Sequence, residues 1–317
     1  MRCILVILDG LGDRAHAVLK GRTPLQAAHT PHLDQLATRG MNGLYHPCLQ
    51  GIPLSSEIAH FLIFGYELEE FPGRGYIEAV GSDIEIDDKE VVLLCHVCSV
   101  VEKDNTLILI KERPAITESE LSLFLKEVNP YTADDVMIRF VPAKGADGFL
   151  IISGQASPAI TDSNPIAEGR PLIAVQPTDA TPEARETAGA LNQYFRWLYQ
   201  GLTSHPLNVK RKQKNLPLIN ILAVQRAGRR RPLEPFFERW GFKGVSIAAS
   251  PLYWGLCREI SMDIIRQKDS GDPEKDLRER LRQAHEAEGY DFIHVHTKMP
   301  DEAAHTKDPL YKQEIIE

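Results

Sequence analysis

Short apolar runs alternate with helical patterns near both ends of the chain. The first run, Cys3–Leu8, predicts a buried strand that is followed by a glycine-containing turn. Further strands are predicted near 219–224, 245–249 and 292–297. Helical patterns lie between or beside them near 234–240, 251–262 and 275–288. Strands that alternate with helices are typical of a parallel sheet covered by helices, so these segments predict an α/β domain.

Helix start signals follow the first strand. Thr23-Pro24 and Thr30-Pro31 each place a hydroxyl side chain before a proline at the first helical position, and Gly40 suits a helix end. Two short helices are therefore expected here. Another helix is predicted to begin near Ser55 or Ser56 and to end at Gly65.

The middle of the chain has a different pattern. Strands are predicted near 91–101, 106–110, 136–141 and 148–153, and helices near 118–128 and 183–203. This order is typical of an α+β domain. We therefore predict a discontinuous α/β domain formed by residues 1–82 and 205–317, with an α+β domain of residues 83–204 inserted into it.

Composition limits the classes of partner. The chain has 317 residues, 43% of them apolar, which is enough for two domains with their own cores. The formal net charge of −8 gives no general attraction for nucleic acid or for an anionic membrane surface, so we expect neither as a partner. No apolar run approaches the roughly 20 residues of a membrane span, and the five scattered cysteines suit a reducing compartment. We expect a cytoplasmic protein. The sequence does not decide whether it forms a homo-oligomer.

Several residues that could take part in catalysis or bind a metal ion lie at predicted strand ends. Asp9 directly follows the first strand, and Asp301 and His305 are spaced to share one face of the helix after the last strand. Ligands of α/β sheets collect outside the carboxyl ends of the strands. Either Ser55 or Ser56 could join them there. The alternatives are a turn former for Asp9 and a helix N-cap for the serine.

Three other histidines have less specific patterns. His294 and His296 are two apart in a strand and so face the same side; hydrogen-bonded core or wall residues are the favoured interpretation, and metal ligands the alternative. His60 is interpreted as helix packing or as a support for the site.

Five segments together resemble the archaeal-type cofactor-independent phosphoglycerate mutases of the alkaline phosphatase superfamily. They are, in order, "LDGLGDR", "GRTPLQAAHTPHLDQLATRGMNGL", "GIPLSSEIAHFLIFGYELEEFPGRGYIEAVG", "SHPLNVKRKQKNLPLINIL" and "KMPDEAAH". They extend from residue 8 to residue 305, so the resemblance covers nearly the whole chain. It implies an alkaline-phosphatase-like parallel-sheet sandwich domain.

The resemblance also implies an activity and its residues. The family's "GIPPGSDTAH" aligns its serine with Ser56, which becomes the catalytic nucleophile. Asp9 and Ser56 are implied ligands of one metal ion, and Asp301 and His305 of a second. The ions would be Mn or Mg, with Zn or Co as alternatives. The implied reaction interconverts 3-phosphoglycerate and 2-phosphoglycerate, a glycolytic step, through a phosphoserine; the partner is thus a small phosphorylated metabolite.

Departures from the family pattern concern the substrate. The arginine-rich "DRRAGR" falls near "LIKERPA", which leaves Arg113, and "GHRG" falls at "GADG". "RGAGK" falls at "QRAGR", which leaves Arg226 and Arg229, and Asp162 lies where the family has "SDTDP". These four residues are the predicted substrate contacts.

Two alternatives follow from these departures. The first is a related phosphotransferase or phosphatase that acts on another small phosphoester. The second is a catalytically silent homologue, because family members continue beyond "QEIIE" to a "GDH" motif and a further histidine that complete their metal sites. We therefore expect a site with an incomplete set of ligands in the sequence as it stands.

Overall fold

The computed structural model describes residues 2–49 and 51–317. The strands are β1 (Cys3–Leu8), β2 (Val91–Lys103), β3 (Thr106–Glu112), β4 (Tyr131–Ala133), β5 (Val136–Pro142), β6 (Asp147–Gly154), β7 (Ile221–Gly228), β8 (Gly244–Ala249), β9 (Asp263–Gln267) and β10 (Phe292–Thr297). The helices are α1 (Pro24–Ala27), α2 (Pro31–Arg39), α3 (Ser56–Ile63), α4 (Arg74–Gly81), α5 (Glu118–Val128), α6 (Pro182–Thr203), α7 (Pro206–Gln213), α8 (Phe236–Trp240), α9 (Pro251–Glu259), α10 (Pro273–Glu286), α11 (Met299–His305) and α12 (Pro309–Ile316).

The chain forms two compact units. Unit 1 comprises residues 1–69 and 233–317, and unit 2 comprises residues 70–232. Each contains one sheet with its own core. The predicted fold class, a discontinuous α/β domain with a parallel sheet and a separate α+β domain, is confirmed by the two sheets.

Unit 1 is built on a four-stranded parallel sheet. Its strand order is β1-β10-β8-β9, and β10 is buried between β1 and β8. Its core combines apolar side chains of the central strands with those of α10: Val245, Ile247, Ala284, Ile293 and Val295. Buried apolar runs in the central strands are what a parallel sheet requires, because helices cover its faces.

Unit 2 is built on a six-stranded sheet whose ladders are all antiparallel. The strand order is β3-β2-β6-β5-β4, and β7 also pairs with β2. The long strand β2 is therefore the centre of the sheet, and ten consecutive residues from Val91 to Val100 are buried. Helix α6 packs on this sheet through side chains that include Leu191 and Tyr194.

One strand assignment from the sequence was wrong. We predicted the strand near 219–224 to belong to the parallel sheet of the α/β domain, but β7 runs antiparallel to β2 in unit 2. The apolar run Ile221–Val224 is buried, and a fully buried strand shows no periodicity that distinguishes the two kinds of sheet. The units accordingly divide at 69/70 and 232/233, and not at the predicted 82/83 and 204/205.

No helix in the described ranges, 2–49 and 51–317, is both long and apolar enough to cross a membrane.

An ion pair between the buried Lys312 and the more exposed Asp13 joins the loop after β1 to helix α12. Lys312 is 2% exposed, and its Nζ donates hydrogen bonds of 2.9 Å to the backbone oxygen of Gly12 and to Oδ2 of Asp13. The hydrogen bond from Lys312 lowers the pKa of Asp13 from 3.8 to about 2. The pair thus holds the end of β1 against the last described helix of unit 1.

We predict that Asp13→Asn lowers the free energy of unfolding by about 1–3 kcal/mol at pH 7, because it leaves the buried ammonium without its carboxylate. The pKa of Asp13 is lower in the folded than in the unfolded chain, so this contribution is present above about pH 4 and is lost as the pH falls towards 2. Urea unfolding at several pH values should show the two proteins converging in acid. Glu274→Gln, which breaks an exposed pair with Arg278, is the control and should cost less than about 0.5 kcal/mol. Equal stability of Asp13→Asn and the parent at pH 7 would contradict the prediction.

Candidate active site

Asp9 lies at the carboxyl end of the parallel sheet. Strand β1 pairs with β10 in register from Cys3 with Phe292 to Leu8 with Thr297, and the Asp9 backbone N–H donates to the Thr297 oxygen at 3.0 Å. The ends of the two strands therefore meet at one edge. This places the carboxylate of Asp9 beside the segment that carries α11.

Ser56 contacts Asp9 directly. Its Oγ donates a hydrogen bond of 3.2 Å to Oδ2 of Asp9. Ser55 occupies the N-cap position of α3, but its side chain caps no backbone N–H, and Ser56 is the first helical residue. Among the described residues the buried Ser55 Oγ has no hydrogen-bond partner. The fold thus brings one serine hydroxyl, and not its neighbour, to the acidic residue.

Asp301 and His305 form a second pair on α11. His305 Nε2 lies 3.5 Å from Oδ2 of Asp301, as the spacing of four residues on one helical face predicts. Lys298 Nζ lies 3.6 Å from the same carboxylate oxygen. The His305 side chain is 78% exposed, so its imidazole is accessible to a ligand.

Gly10 allows the turn after β1 to approach helix α11 closely. Its φ is +76°, and a Cβ at this position would lie 2.3 Å from the Cα of Asp301. Only glycine adopts this backbone conformation without strain while leaving room for the other segment. The turn after β1 therefore packs directly against the first turn of α11.

A cluster of buried imidazoles surrounds Asp9 and Ser56. His296 Nε2 lies 3.6 Å from Oδ2 of Asp9, and His60 Nδ1 donates a 2.7 Å hydrogen bond to the Ser56 backbone oxygen. The His60 and His296 rings lie 4.9 Å apart between centroids. These contacts form a ring of neighbours. Ser56 contacts Asp9, Asp9 lies beside His296, His296 packs against His60, and His60 donates to the backbone of Ser56.

The charge in this cluster belongs to Asp9. Its pKa is lowered, chiefly by the His296 imidazole, although burial acts in the opposite direction. Burial lowers the pKa of His60 to about 4, and it also lowers the pKa values of His294 and His296. The three imidazoles are neutral near pH 7, so the carboxylate is not compensated by a histidine cation.

Two residues that contact these imidazoles had no clear signal in the sequence. The Tyr253 ring of α9 packs 4.1 Å from His296 and 4.7 Å from His60, and Ser246 of β8 lies 2.9 Å from Nδ1 of His294. Ordinary strand and helix positions gave no reason to single out Tyr253 or Ser246. The favoured interpretation of His294 as a hydrogen-bonded core residue agrees with its burial and its contact with Ser246.

The chemistry of the donors bears on a metal ion. Two ligands of one divalent cation, each about 2.1 Å from the ion, lie about 3.0–3.5 Å apart. The Asp9–Ser56 separation of 3.2 Å and the Asp301–His305 separation of 3.5 Å both fit this spacing. In the described part of the chain no group of three His, Cys, Asp or Glu side chains is arranged to hold an ion. Each pair therefore fits part of a coordination shell.

The predicted substrate contacts lie in unit 2. Arg113 follows β3 and donates to Asp147, Glu112 and His96. The Asp162 carboxylate accepts a 2.7 Å hydrogen bond from the backbone N–H of Arg226.

The guanidinium of Arg229 donates to a backbone oxygen, that of Ala156, at 3.1 Å. Of the four predicted contacts, Asp162 and Arg226 are brought into direct contact with each other. Arg113 is held by carboxylate and imidazole groups that sequence reasoning did not identify.

The chain is similar in sequence to phosphoglycerate mutases over its whole length. A sequence profile described as "2,3-bisphosphoglycerate-independent phosphoglycerate mutase" matches residues 37–208. A protein of Methanocaldococcus jannaschii described as 2,3-bisphosphoglycerate-independent phosphoglycerate mutase 2 is 40% identical over all of this chain and 74% of its own length. A Methanopyrus kandleri protein described as 2,3-bisphosphoglycerate-independent phosphoglycerate mutase is 35% identical over all of this chain and 76% of its own.

Solved structures show the same fold. The cofactor-independent phosphoglycerate mutase of Thermoplasma acidophilum aligns with 99% of this chain and 80% of its own, with a TM-score of 0.60 and 27% identity. The PH0037 protein of Pyrococcus horikoshii aligns with 99% of this chain and 74% of its own, with a TM-score of 0.71 and 25% identity. The fold is that of the alkaline-phosphatase-like α/β enzymes. Within that class, the chain belongs to the 2,3-bisphosphoglycerate-independent phosphoglycerate mutase family.

The close approach at Gly10 gives a matched test of the site's architecture. We predict that Gly10→Ala lowers the free energy of unfolding by about 2 kcal/mol or more, because the new Cβ would overlap the Asp301 backbone at a positive φ. Urea unfolding measures the loss. Gly12→Ala is the control, since a Cβ there meets nothing within 4 Å. Similar stabilities for the two variants would show that the turn does not pack tightly on α11.

Proposed function

We propose that this protein interconverts 3-phosphoglycerate and 2-phosphoglycerate through a phosphoserine at Ser56. The observation that carries the proposal is the 3.2 Å hydrogen bond from Ser56 Oγ to the ionised Asp9 in a chain of this family. The substrate is a small phosphorylated metabolite, and the cytoplasm is the proposed location.

Ser56 is the nucleophile in this reaction. Its Oγ attacks the phosphorus of the 3-phosphate, the bond between phosphorus and the C3 oxygen breaks, and the serine proton passes by way of Asp9 to the leaving oxygen. The 2-hydroxyl of the same glycerate then attacks the phosphoserine, the bond between Oγ and phosphorus breaks, and the proton of the 2-hydroxyl passes by way of Asp9 to Oγ. No water enters either step, so the site must exclude it for transfer to win over hydrolysis.

The supporting side chains have separate roles. His60 holds the backbone of Ser56, and His296 lies against Asp9, so the hydroxyl and the carboxylate keep one relative orientation. Because the buried imidazoles are neutral, the positive charge that the phosphoryl group needs must come from elsewhere.

Two divalent metal ions, Mn or Mg, are the proposed source of that charge. Asp9 with Ser56 would hold one ion, and Asp301 with His305 would hold the other. A bound divalent cation favours the ionised form of a hydroxyl and neutralises phosphoryl oxygens. The incomplete ligand pairs in the described residues favour, as a second candidate, a catalytically silent homologue.

A related activity on another small phosphoester is a third candidate. It is favoured by the two carboxylates, Asp147 and Glu112, that already neutralise Arg113. Phosphate release from such an ester without interconversion of the phosphoglycerates would support this candidate.

We predict that Ser56→Ala lowers the rate of interconversion by about a thousandfold or more, because it removes the attacking oxygen. An assay with purified protein, Mn²⁺ and 3-phosphoglycerate measures 2-phosphoglycerate formation. Ser55→Ala is the matched control: it removes a hydroxyl with no hydrogen-bond partner among the described residues and should keep most of the activity. Turnover by Ser56→Ala at the parent rate would refute the assignment.

We predict that Mn²⁺ at about a hundredfold above its dissociation constant stabilises the protein by about 2.7 kcal/mol, and that a chelator reverses this. Asp9→Asn should weaken the apparent affinity about tenfold or more. Thermal unfolding across a Mn²⁺ titration measures both effects. Asp34→Asn, a change on helix α2, is the control. An equal response of Asp9→Asn and the parent would place the ion elsewhere.

A further inference from the structure

A polar network lies in unit 2 where β3 ends and β6 begins. Both strands pair with β2, and the network joins residues of these strands to β7 and to the loop after β6: His96, Glu112, Arg113, Asp147, Asn164 and Gln225. Arg113 is its centre. The Arg113 side chain is 41% exposed, so its guanidinium reaches the surface of the unit.

The guanidinium is fixed by three acceptors. Nε donates to Oδ1 of Asp147 at 2.6 Å, Nη1 to Oε1 of Glu112 at 2.6 Å, and Nη2 to Nε2 of His96 at 2.9 Å. A guanidinium has five N–H groups. Within residues 2–49 and 51–317 these contacts use three of them, so two N–H groups remain for a ligand.

His96 and Asp147 are hydrogen-bonded to each other, and both contact the arginine. His96 Nδ1 donates to Oδ1 of Asp147 at 2.6 Å, since a carboxylate oxygen accepts. The proton is then on Nδ1, and Nε2 accepts from Arg113. Gln225 Nε2 lies 3.2 Å from the same imidazole nitrogen. His96 is buried, so this arrangement has one defined orientation.

The carboxylates of the network compensate the positive charge of Arg113, which disfavours an anionic ligand. Hydrogen bonds from His96 and Arg113 lower the pKa of Asp147 against the effect of burial, so its carboxylate is ionised near pH 7. With Glu112 it places two negative charges on one guanidinium. Arg113 therefore offers donor geometry to a ligand with much of its positive charge compensated.

We propose that Asp147 is a specificity-determining residue that weakens the binding of carboxylate-bearing phosphoesters at Arg113. The proposal rests on the function proposed above. Asp147 holds Arg113 in position through its Nε and at the same time reduces the attraction of the two remaining N–H groups for an anion. This network then favours a ligand group that accepts hydrogen bonds without a full negative charge.

Asp147→Asn separates these two effects. An asparagine Oδ1 accepts the same hydrogen bonds from His96 and Arg113, but the negative charge is removed. We expect 3-phosphoglycerate to bind the full-length variant about three- to tenfold more tightly than the parent, as measured by calorimetry at low salt. Glu112→Gln should change the affinity in the same direction.

Two controls test the route of the effect. Asp88→Asn also removes a carboxylate from an exposed arginine of unit 2, Arg230, and should leave the affinity unchanged. In an Arg113→Gln background, Asp147→Asn should give no gain. Unchanged or weaker binding by Asp147→Asn, the same gain in Asp88→Asn, a gain that persists without Arg113, or no binding by either protein would each overturn the proposal.

The outcome is distinct from that of the mutase assay. Tighter binding by Asp147→Asn in a protein that forms no 2-phosphoglycerate would refute the proposed function and keep the role of Asp147. Active interconversion with an affinity that Asp147→Asn does not change would refute the role of Asp147 and keep the proposed function.

Discussion

The parallel register between β1 and β10 decides where the candidate catalytic residues lie. Leu8 pairs with Thr297, so the residue after each strand emerges at the same edge of the sheet. Asp9 follows one strand directly, and α11 follows the other after a single residue. A shift of this register by one residue would turn the side chains of β1 to the other face and separate the two segments. Gly10 makes the approach possible, because a side chain there would occupy the space of the Asp301 backbone.

Burial in this site has a chemical consequence that distance alone does not show. The imidazoles of His60, His294 and His296 lie within 6.2 Å of one another between ring centroids, yet burial keeps them neutral. A cationic imidazole beside Asp9 would pair with the carboxylate and compete with the Ser56 hydroxyl for it. Neutral rings support both groups by packing and hydrogen bonding, and the carboxylate remains available to a cation from outside the protein.

Much of the fold followed from local patterns. Helix α5 lies at its predicted position, near 118–128, and in the structure the Thr117 and Glu120 side chains form a capping box at its start. Strand β10 and helix α11 also lie at their predicted positions. Strand β9 was missed, since its five residues include Asp263, Arg266 and Gln267 and give little apolar signal. The placement of β7 depended on β2, about 120 residues earlier in the chain, and no local pattern contains such pairing information.

The candidate site shows the same division between local and distant information. Strand ends and helix spacing singled out Asp9, Asp301 and His305, because those signals lie within a few residues of each side chain. The choice between Ser55 and Ser56 needed the family resemblance, and the hydrogen bond to Asp9 agrees with it.

The partners of Arg113 come from β2, β3 and β6, so its compensation by Asp147 depends on strand pairing in the sheet of unit 2. A side chain's identity can thus be carried over from a family by alignment, whereas its effective charge is set by neighbours that only the fold brings together. For this reason a retained arginine is weak evidence for a retained substrate, and the carboxylates that contact it carry as much information as the arginine itself.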